Sequence, residues 1–429
     1  MRSILYTNQL STRLQYIIGV LFTKDMVVTD SKDTFIAFDG FKLNYSETPI
    51  AADECWVKPH GLLAATTIQE QRVECKDWEG LPIFFSTTST GIPFDFLSAA
   101  FYLITRYEEY LPFKGDELGR YHHENSLAFR FNFLQQPLIQ LWMKKLATSF
   151  SIPCFCWPPF SFTPSYDIDI AYSYLHHSVL RNVGGFFKDF IKADINALGE
   201  RMQVLNGVQK DPYDVYDWLS LLHSSLQLKP IYFFLLAKNR RGLDKNIDPN
   251  STAMKQLIKD HARQYSIGIH PSIQSNTSEA LLKAEINRLQ LASNTRVTIA
   301  RQHYIQLHFP ATYQQLTHVG IQQDYSMGYP GINGFRASYA GSFAWFDLSA
   351  NTPTNLTVHP FCYMDATAIF NERITASEAL TNMQYYFDTV KEVGGNCIFI
   401  LHNHFLTQQT SFIEWRNSYA DFLLRNFTR

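Results

Sequence analysis

The chain has 429 residues, 46% of them hydrophobic and 18% charged, with a formal net charge of −2. That length exceeds what one small core organises and points to two domains, and the composition favours a large buried interior over disorder. Near-neutral charge without a long basic or acidic block excludes the footprint of a nucleic-acid binder and gives no reason to expect a strongly anionic substrate or a membrane surface.

The N-terminus lacks an apolar core of signal-peptide length, and the longest apolar runs, such as 231–237, are far shorter than a membrane span. A cytoplasmic, reduced protein is the expectation. Its six cysteines, at 55, 75, 154, 156, 362 and 397, form no C-x-x-C pair and suit buried free thiols. A helical pattern at 12–22 precedes strand-like pieces at 26–28 and 34–37. Asp95 is placed to cap a helix running through Phe101 and Tyr107, and another helix is expected over 138–150. Arg106, Glu108 and Glu109 read as a solvated helical face with a salt bridge. His122 and His123 are a weak metal signal, because adjacent residues rarely ligate one ion. Pro153, Pro158 and Pro159 end helices and favour extended chain. They divide a mixed α/β accessory domain, residues 1–157, from a second domain, residues 158–429.

Past that boundary strands alternate with helices, the pattern of parallel βα units. Apolar runs at 162–170, 230–237, 266–270, 296–304, 321–326, 356–363 and 397–402 read as strands. Helical segments fall at 251–265, 278–292, 311–319, 376–393 and 411–426. Seven strands with interleaved helices predict a distorted (β/α)7 barrel, with an open doubly wound sheet as the alternative.

Polar residues gather where these strands end, and in α/β barrels that rim builds active sites. The first strand ends in Ser165-Tyr166-Asp167-Ile168-Asp169, whose carboxylates at i and i+2 share a face. The third ends in Ile269-His270-Pro271-Ser272 and the last in Leu401-His402-Asn403-His404. Two carboxylates and histidines converging from three strands can hold a divalent metal and supply a base and an acid, as metal-assisted hydrolysis requires.

These motifs resemble those of the NodB-type polysaccharide deacetylases, over roughly residues 160 to 425. Ser165-Tyr166-Asp167-Ile168-Asp169 looks like the S-F-D-V-D form of the family's first motif, which implies that Asp167 is the general base and Asp169 a metal ligand. His270-Pro271-Ser272 resembles the second motif, whose first histidine is a ligand. Ala300-Arg301-Gln302-His303 sits where the third motif has an arginine orienting the base, and Leu401-His402 matches the last motif, with His402 as the acid. Arg106-Tyr107-Glu108-Glu109-Tyr110 and Asp324-Tyr325-Ser326-Met327-Gly328-Tyr329 resemble segments of a branch with an N-terminal accessory domain.

The resemblance implies a barrel of the polysaccharide deacetylase type, a divalent metal (zinc) and removal of an N-acetyl group from an amino sugar or glycan. One departure is plain. Gln274 stands where the second metal histidine is expected, so the third ligand must be His303, His404 or a carboxylate. With no metal, the chain would be a catalytically silent carbohydrate-binding or assembly barrel. Asp324 and Asp365 are the carboxylates that could pair with His402 and raise its pKa. Asp324, Tyr325, Tyr329 and Trp345, near a loop containing Gly328, Gly331, Gly334 and Gly341, are the expected sugar-binding residues.

Overall fold

The computed structural model describes residues 2–87, 91–178 and 195–428. The N-terminal part holds a four-stranded parallel sheet in the order β2-β1-β3-β4, with β1 (Ser3–Thr7), β2 (Met26–Thr29), β3 (Phe41–Tyr45) and β4 (Cys55–Val57). A small hairpin of β5 (Lys76–Trp78) and β6 (Leu81–Ile83) follows. Ser11 caps helix Thr12–Leu21 by accepting from the Leu14 N–H, and Asp95 caps helix Phe96–Ile104 through the Ser98 N–H, each satisfying a donor the first helical turn leaves free. The expected strand at 34–37 is instead part of helix Lys32–Ile36. Ser31 caps it and Asp33 sits in its first turn, and these local contacts outweigh the β-branched composition.

A nine-stranded sheet occupies the rest, in the order β12-β13-β11-β10-β9-β8-β7-β15-β14. Its strands are β7 (Ser161–Ile168), β8 (Ile231–Leu235), β9 (Ser266–His270), β10 (Ile299–Ala300), β11 (Gln323–Asp324), β12 (Phe343–Asp347), β13 (Thr352–Val358), β14 (Tyr363–Met364) and β15 (Asn396–His402). All neighbours run parallel except β12 against β13. From β7 to β11 each strand lies beside its predecessor, and the late strand β15 returns to pair with β7, so the order winds one way as in a barrel.

The sheet also curls. Six inter-strand steps of about 4.8 Å would hold β11 and β14 about 29 Å apart if it were flat. Yet the Phe361 N–H, just before β14, donates to the Met327 carbonyl, just after β11, at 3.1 Å. Gly328 lets that approach happen, because a Cβ there would lie 2.3 Å from the Phe361 ring. Ile231 and Phe233 of β8, Tyr325, Met364 and Ile400 form a separate apolar cluster inside the curl. Among the described residues the strand order is thus an open ring whose end strands are β12 and β14.

Helices cover the outer face. Phe162 of β7 packs against Phe387 of helix Ala376–Val393 and Phe422 of helix Ile413–Phe427, and a Thr375/Glu378 capping box starts the first of these. The main apolar core is continuous from Leu5, Ile17 and Phe101 through Trp142 to Tyr166, Leu356 and Phe399, so packing crosses the proline-rich segment between the two sheets. All six cysteines are free, and among the described residues no helix is long and apolar enough to cross a membrane.

Candidate active site

Alternation along β7 sends Tyr166 outward, where its hydroxyl meets His223 and Tyr419, and turns Ser165 and Asp167 into the ring. There they meet Arg301, which directly follows β10. Its guanidinium donates to Asp167 Oδ1 and to Ser165 Oγ, both at 2.8 Å, and to the Tyr325 carbonyl at 3.1 Å. The guanidinium carbon lies 4.2 Å from the centroid of the Phe233 ring. A fully buried arginine with three acceptors and an aromatic face beneath it has no freedom left, so it fixes one oxygen of Asp167 and leaves the other toward the cavity.

Asp169, one residue past β7, sits among three imidazoles. Its Oδ1 is 3.1 Å from His270 Nε2, and its Oδ2 is 3.6 Å from His303 Nε2 and 3.5 Å from His402 Nε2. Asp169, His270 and His303 each present one donor atom, all within 4.8 Å of one another. The remote ring nitrogens set the tautomers. His270 Nδ1 donates to the Arg301 carbonyl at 2.6 Å, and His303 Nδ1 faces Asp244 Oδ1 at 3.0 Å, which aims both Nε2 atoms into the site. Asp169 Oδ1 is buried and, apart from the 3.1 Å approach of His270 Nε2, has no hydrogen-bond partner among the described residues, a condition that a cation would relieve. The donor set and its supporting contacts fit a divalent ion.

His402 ends β15, beside β7, and its Nδ1 meets Asp365 Oδ1 at 2.6 Å while its own N–H donates to Asp365 Oδ2. Burial alone would lower the His402 pKa, but the Asp365 carboxylate outweighs it and raises the value to about 9. Burial is likewise overcome at His303, which Asp169 and Asp244 raise to about 9. Asp169 resists the upward pull of burial because His303 and His270 hold it well below the usual carboxylate range. His404 is pushed the other way, to about 3, by burial and by its neighbour His402. Of the two carboxylates considered for His402, Asp365 is the partner. Asp324 is buried and accepts from Tyr313 and Ser326 instead.

Asp167, Asp169, His270, Arg301, His303 and His402 therefore converge on one rim. Gln274 does not join them, and it donates to Asn239 and, at 3.2 Å, to Asp244 Oδ2. The residue at the position of the absent histidine thus supports the carboxylate that orients His303.

The expected sugar-binding set lies elsewhere. Tyr325 stacks on His359 at 4.4 Å, Tyr329 accepts from Arg106, and Trp345 donates to the Tyr110 hydroxyl; all three are buried. Their loop is packed backbone to side chain, as Gly328 under Phe361 illustrates, and offers no open aromatic face.

A cavity of about 880 Å³ opens above the rim, and Tyr304 and Phe370 are the aromatics that combine exposure with a place in its lining. Its lining also includes residues 116–118 and 120–123 of the N-terminal part. His122 and His123 are there, with ring centroids 4.3 Å apart, and with Glu124 they form a second cluster of metal-ligating side chains.

Arg106, Glu108 and Glu109 are not a solvated face. Helix Phe96–Ile104 stops short of them, Arg106 takes a left-handed conformation at φ +53°, and the following turn points the charges inward. Glu109 binds both Arg106, at 2.7 Å, and Arg336, at 2.5 Å, and Arg106 also binds Glu108.

Residues 3–151 match a family described only as DUF7033, of unknown function. No curated protein matches the sequence. Among solved structures, the chain is similar to a protein from Mycobacterium smegmatis assigned as a polysaccharide deacetylase, at 11% identity and a TM-score of 0.42, over 64% of this chain and 85% of that one. A second, from Pseudomonas aeruginosa with the same assignment, gives 10% identity and a TM-score of 0.38 over 63% and 85%. A polysaccharide deacetylase of Bacillus cereus gives 9% and 0.30 over 49% and 81%. Likenesses of this size carry nothing about what the chain binds or turns over.

Proposed function

We propose that the chain is a metal-dependent hydrolase that removes the acetyl group from an N-acetylated amino sugar, with residues 158–429 as the catalytic unit and 1–157 as its accessory unit. The observation that carries this reading is the division of labour on one rim. One carboxylate is locked by an arginine, one histidine is paired with a carboxylate, and three further donors face one another. Asp169, His270 and His303 would hold the ion, and a carboxylate with two imidazoles suits zinc. When bound, such an ion polarises a carbonyl oxygen and makes water a better nucleophile.

The chain's own residues supply the proton transfers. Asp167 takes a proton from the attacking water on the oxygen that Arg301 leaves free, and Arg301 keeps that carboxylate turned toward the cavity. As the new C–O bond forms and the amide C–N bond breaks, His402 donates its proton to the departing nitrogen, giving acetate and a free amine. Asp365 keeps the imidazolium charged until then. Gln274 is the departure that would favour a silent barrel, but its contacts run to Asp244, and His303 is available as a third donor.

The test is metal content together with acetate release from N-acetylated glycans. Asp167→Asn is nearly isosteric, so metal content should persist while the rate falls about a hundredfold or more. A fully metal-loaded protein that releases no acetate from any such glycan, or an Asp167→Asn variant that keeps most of the rate, would refute the reading.

A further inference from the structure

One wall of the catalytic cavity comes from the N-terminal part of the chain. Residues 114–125 fold back through a bridge between Gly115 and Tyr121, tightened by an Asp116–Arg120 ion pair at 2.7 Å. The segment is fastened to the rim it faces. Arg120 Nη1 donates to the carbonyl of Tyr304, the residue after His303, and His123 lies so close to Gly331 that a Cβ there would be 3.3 Å from its Nδ1. Behind it, the Leu127 N–H donates to Glu108 Oε2 at 2.9 Å, which ties the wall to the buried arginine–glutamate cluster.

The rim meets this wall with a strained turn. Tyr304 and Ile305 both have positive φ, +55° and +51°, a conformation that costs energy for side chains of this kind. Its product is a tyrosine 41% exposed beside the proposed metal ligands, where Phe370, 58% exposed, is the second accessible aromatic of the lining. Exposed rings flanked by hydrogen-bonding side chains suit a pyranose, whose C–H faces stack while its hydroxyls are bonded from the side. Among the described lining residues, the one arginine, Arg120, is neutralised by Asp116, and no lysine is present. Apart from the proposed metal site and His402, which Asp365 already pairs, the described lining offers no spare lysine or arginine to a phosphate or carboxylate. Its volume, about 880 Å³, lies in the range of small-ligand pockets, roughly 300–1,000 Å³, and the N-terminal segment walls one side of it.

We infer that residues 114–125 are the substrate-recognition wall of the catalytic cavity, and that the substrate is held end-on: one uncharged, N-acetylated amino sugar, free or at the end of a short glycan, rather than the interior of a polymer. The inference deepens the deacetylase reading and rests on it. It also gives the region of unknown function a role, the selection of which sugar reaches the rim.

The experiment uses the full-length, metal-loaded protein and N-acetylglucosamine oligomers of one to six units. Binding isotherms and saturation-transfer NMR are recorded for wild type, Glu117→Ala and His123→Ala, with circular dichroism to check folding. Glu117 is exposed, so its variant remains informative if the histidine variant misfolds. Contact should be confined to one terminal unit and its neighbour, affinity should level off beyond the dimer, and the variants should weaken binding by up to about tenfold, as loss of a polar contact does. Affinity that climbs through the hexamer, contact along interior units, unaltered binding by folded variants, or no binding by wild type would overturn the inference. Acetate release is read in parallel. End-on binding without acetate sinks the catalytic reading alone, whereas acetate lost from interior units sinks the inference alone.

Discussion

Glu109→Gln removes one negative charge from a cluster in which two arginines and two glutamates are balanced and almost wholly buried. The Arg106, Glu109 and Arg336 side chains are 0%, 2% and 1% exposed, and Glu109 alone bridges the two arginines. After the substitution Glu108 is the carboxylate left in the cluster, and of the two arginines it contacts Arg106, at 2.7 Å. Arg336 keeps the Gly328 carbonyl at 2.9 Å but has lost its counter-ion in a place water does not reach. Breaking a buried pair from one side costs about 3–5 kcal/mol, a large part of the roughly 5–15 kcal/mol that holds a protein folded. At about 2.1 cal/mol/K of unfolding entropy per residue, a fall in Tm of about 3–6 °C should follow. In the double variant Glu109→Gln/Arg336→Met, Arg106 and Glu108 remain as a matched pair. Its loss should therefore be smaller than the sum of the single losses by about 1–3 kcal/mol.

The sign of the pH dependence follows from Glu109 itself. Burial pulls its carboxyl upward, but Arg336 and Arg106 outweigh that and hold it below the ordinary glutamate value. Its contribution is then fully present above about pH 4.5 and is lost as pH falls toward the depressed folded value, so wild type and variant should converge in acid. Thermal unfolding followed by circular dichroism across pH measures both effects. A variant that melts within a degree or two of wild type, or strictly additive single losses, would show that the cluster is solvated in the working protein.

Two further predictions concern the rim. Asp365→Asn removes the charge that raises His402 to about 9 and leaves burial to lower it, so the alkaline limb of the rate profile should move down by about two pH units, with the acid limb little changed; a limb that stays in place would mean His402 is not the acid. Asp244→Asn should weaken metal binding by about tenfold or more in chelator competition, because the carboxylate that orients His303 is gone while all three donor residues remain; unchanged affinity would exclude His303 as a ligand.

Strands β7, β8, β9 and β15 are legible because each carries a run of four to six consecutive buried residues, packed on both faces of the sheet. The runs at 296–304 and 321–326 predicted longer strands than the two-residue β10 and β11 that form. Past Ala300 the chain must bend inward to deliver Arg301 and His303, and side-chain hydrophobicity carries no mark of that bend. β12 follows the glycine-containing loop that ends at Gly341, and its aromatic residues read as part of that loop. Arg106 misled for a related reason. Helical periodicity was extended across it, but its left-handed backbone ends the helix and turns the next two glutamates from solvent into the core.

The same distinction, between what a strand carries and what faces it from afar, separates the legible half of the site from the rest. Asp167, Asp169, His270 and His402 are strand-end residues, so an apolar run followed by a polar one locates them without any knowledge of partners. Asp244 lies in the connection after β8, and its importance exists only because His303 is 3.0 Å away. Asp324 and Asp365 each follow or close a two-residue strand, and local sequence gives them equal claim on His402. Tyr313 and Ser326 occupy the first, and His402, from a strand later in the chain, the second, a choice made by the packing and not by the strand ends themselves. Aromatic exposure was equally hidden. Tyr325 and Tyr304 both follow short strands by a few residues, but positive φ at Tyr304 turns one outward, while regular alternation keeps the other within the ring. Gln274 makes the point most sharply. Read as a lost ligand, it weakens the case for a metal, yet its contact with Asp244 places it in the support of the donor on the next strand, so one position's loss and another's gain are a single change in how the site is held.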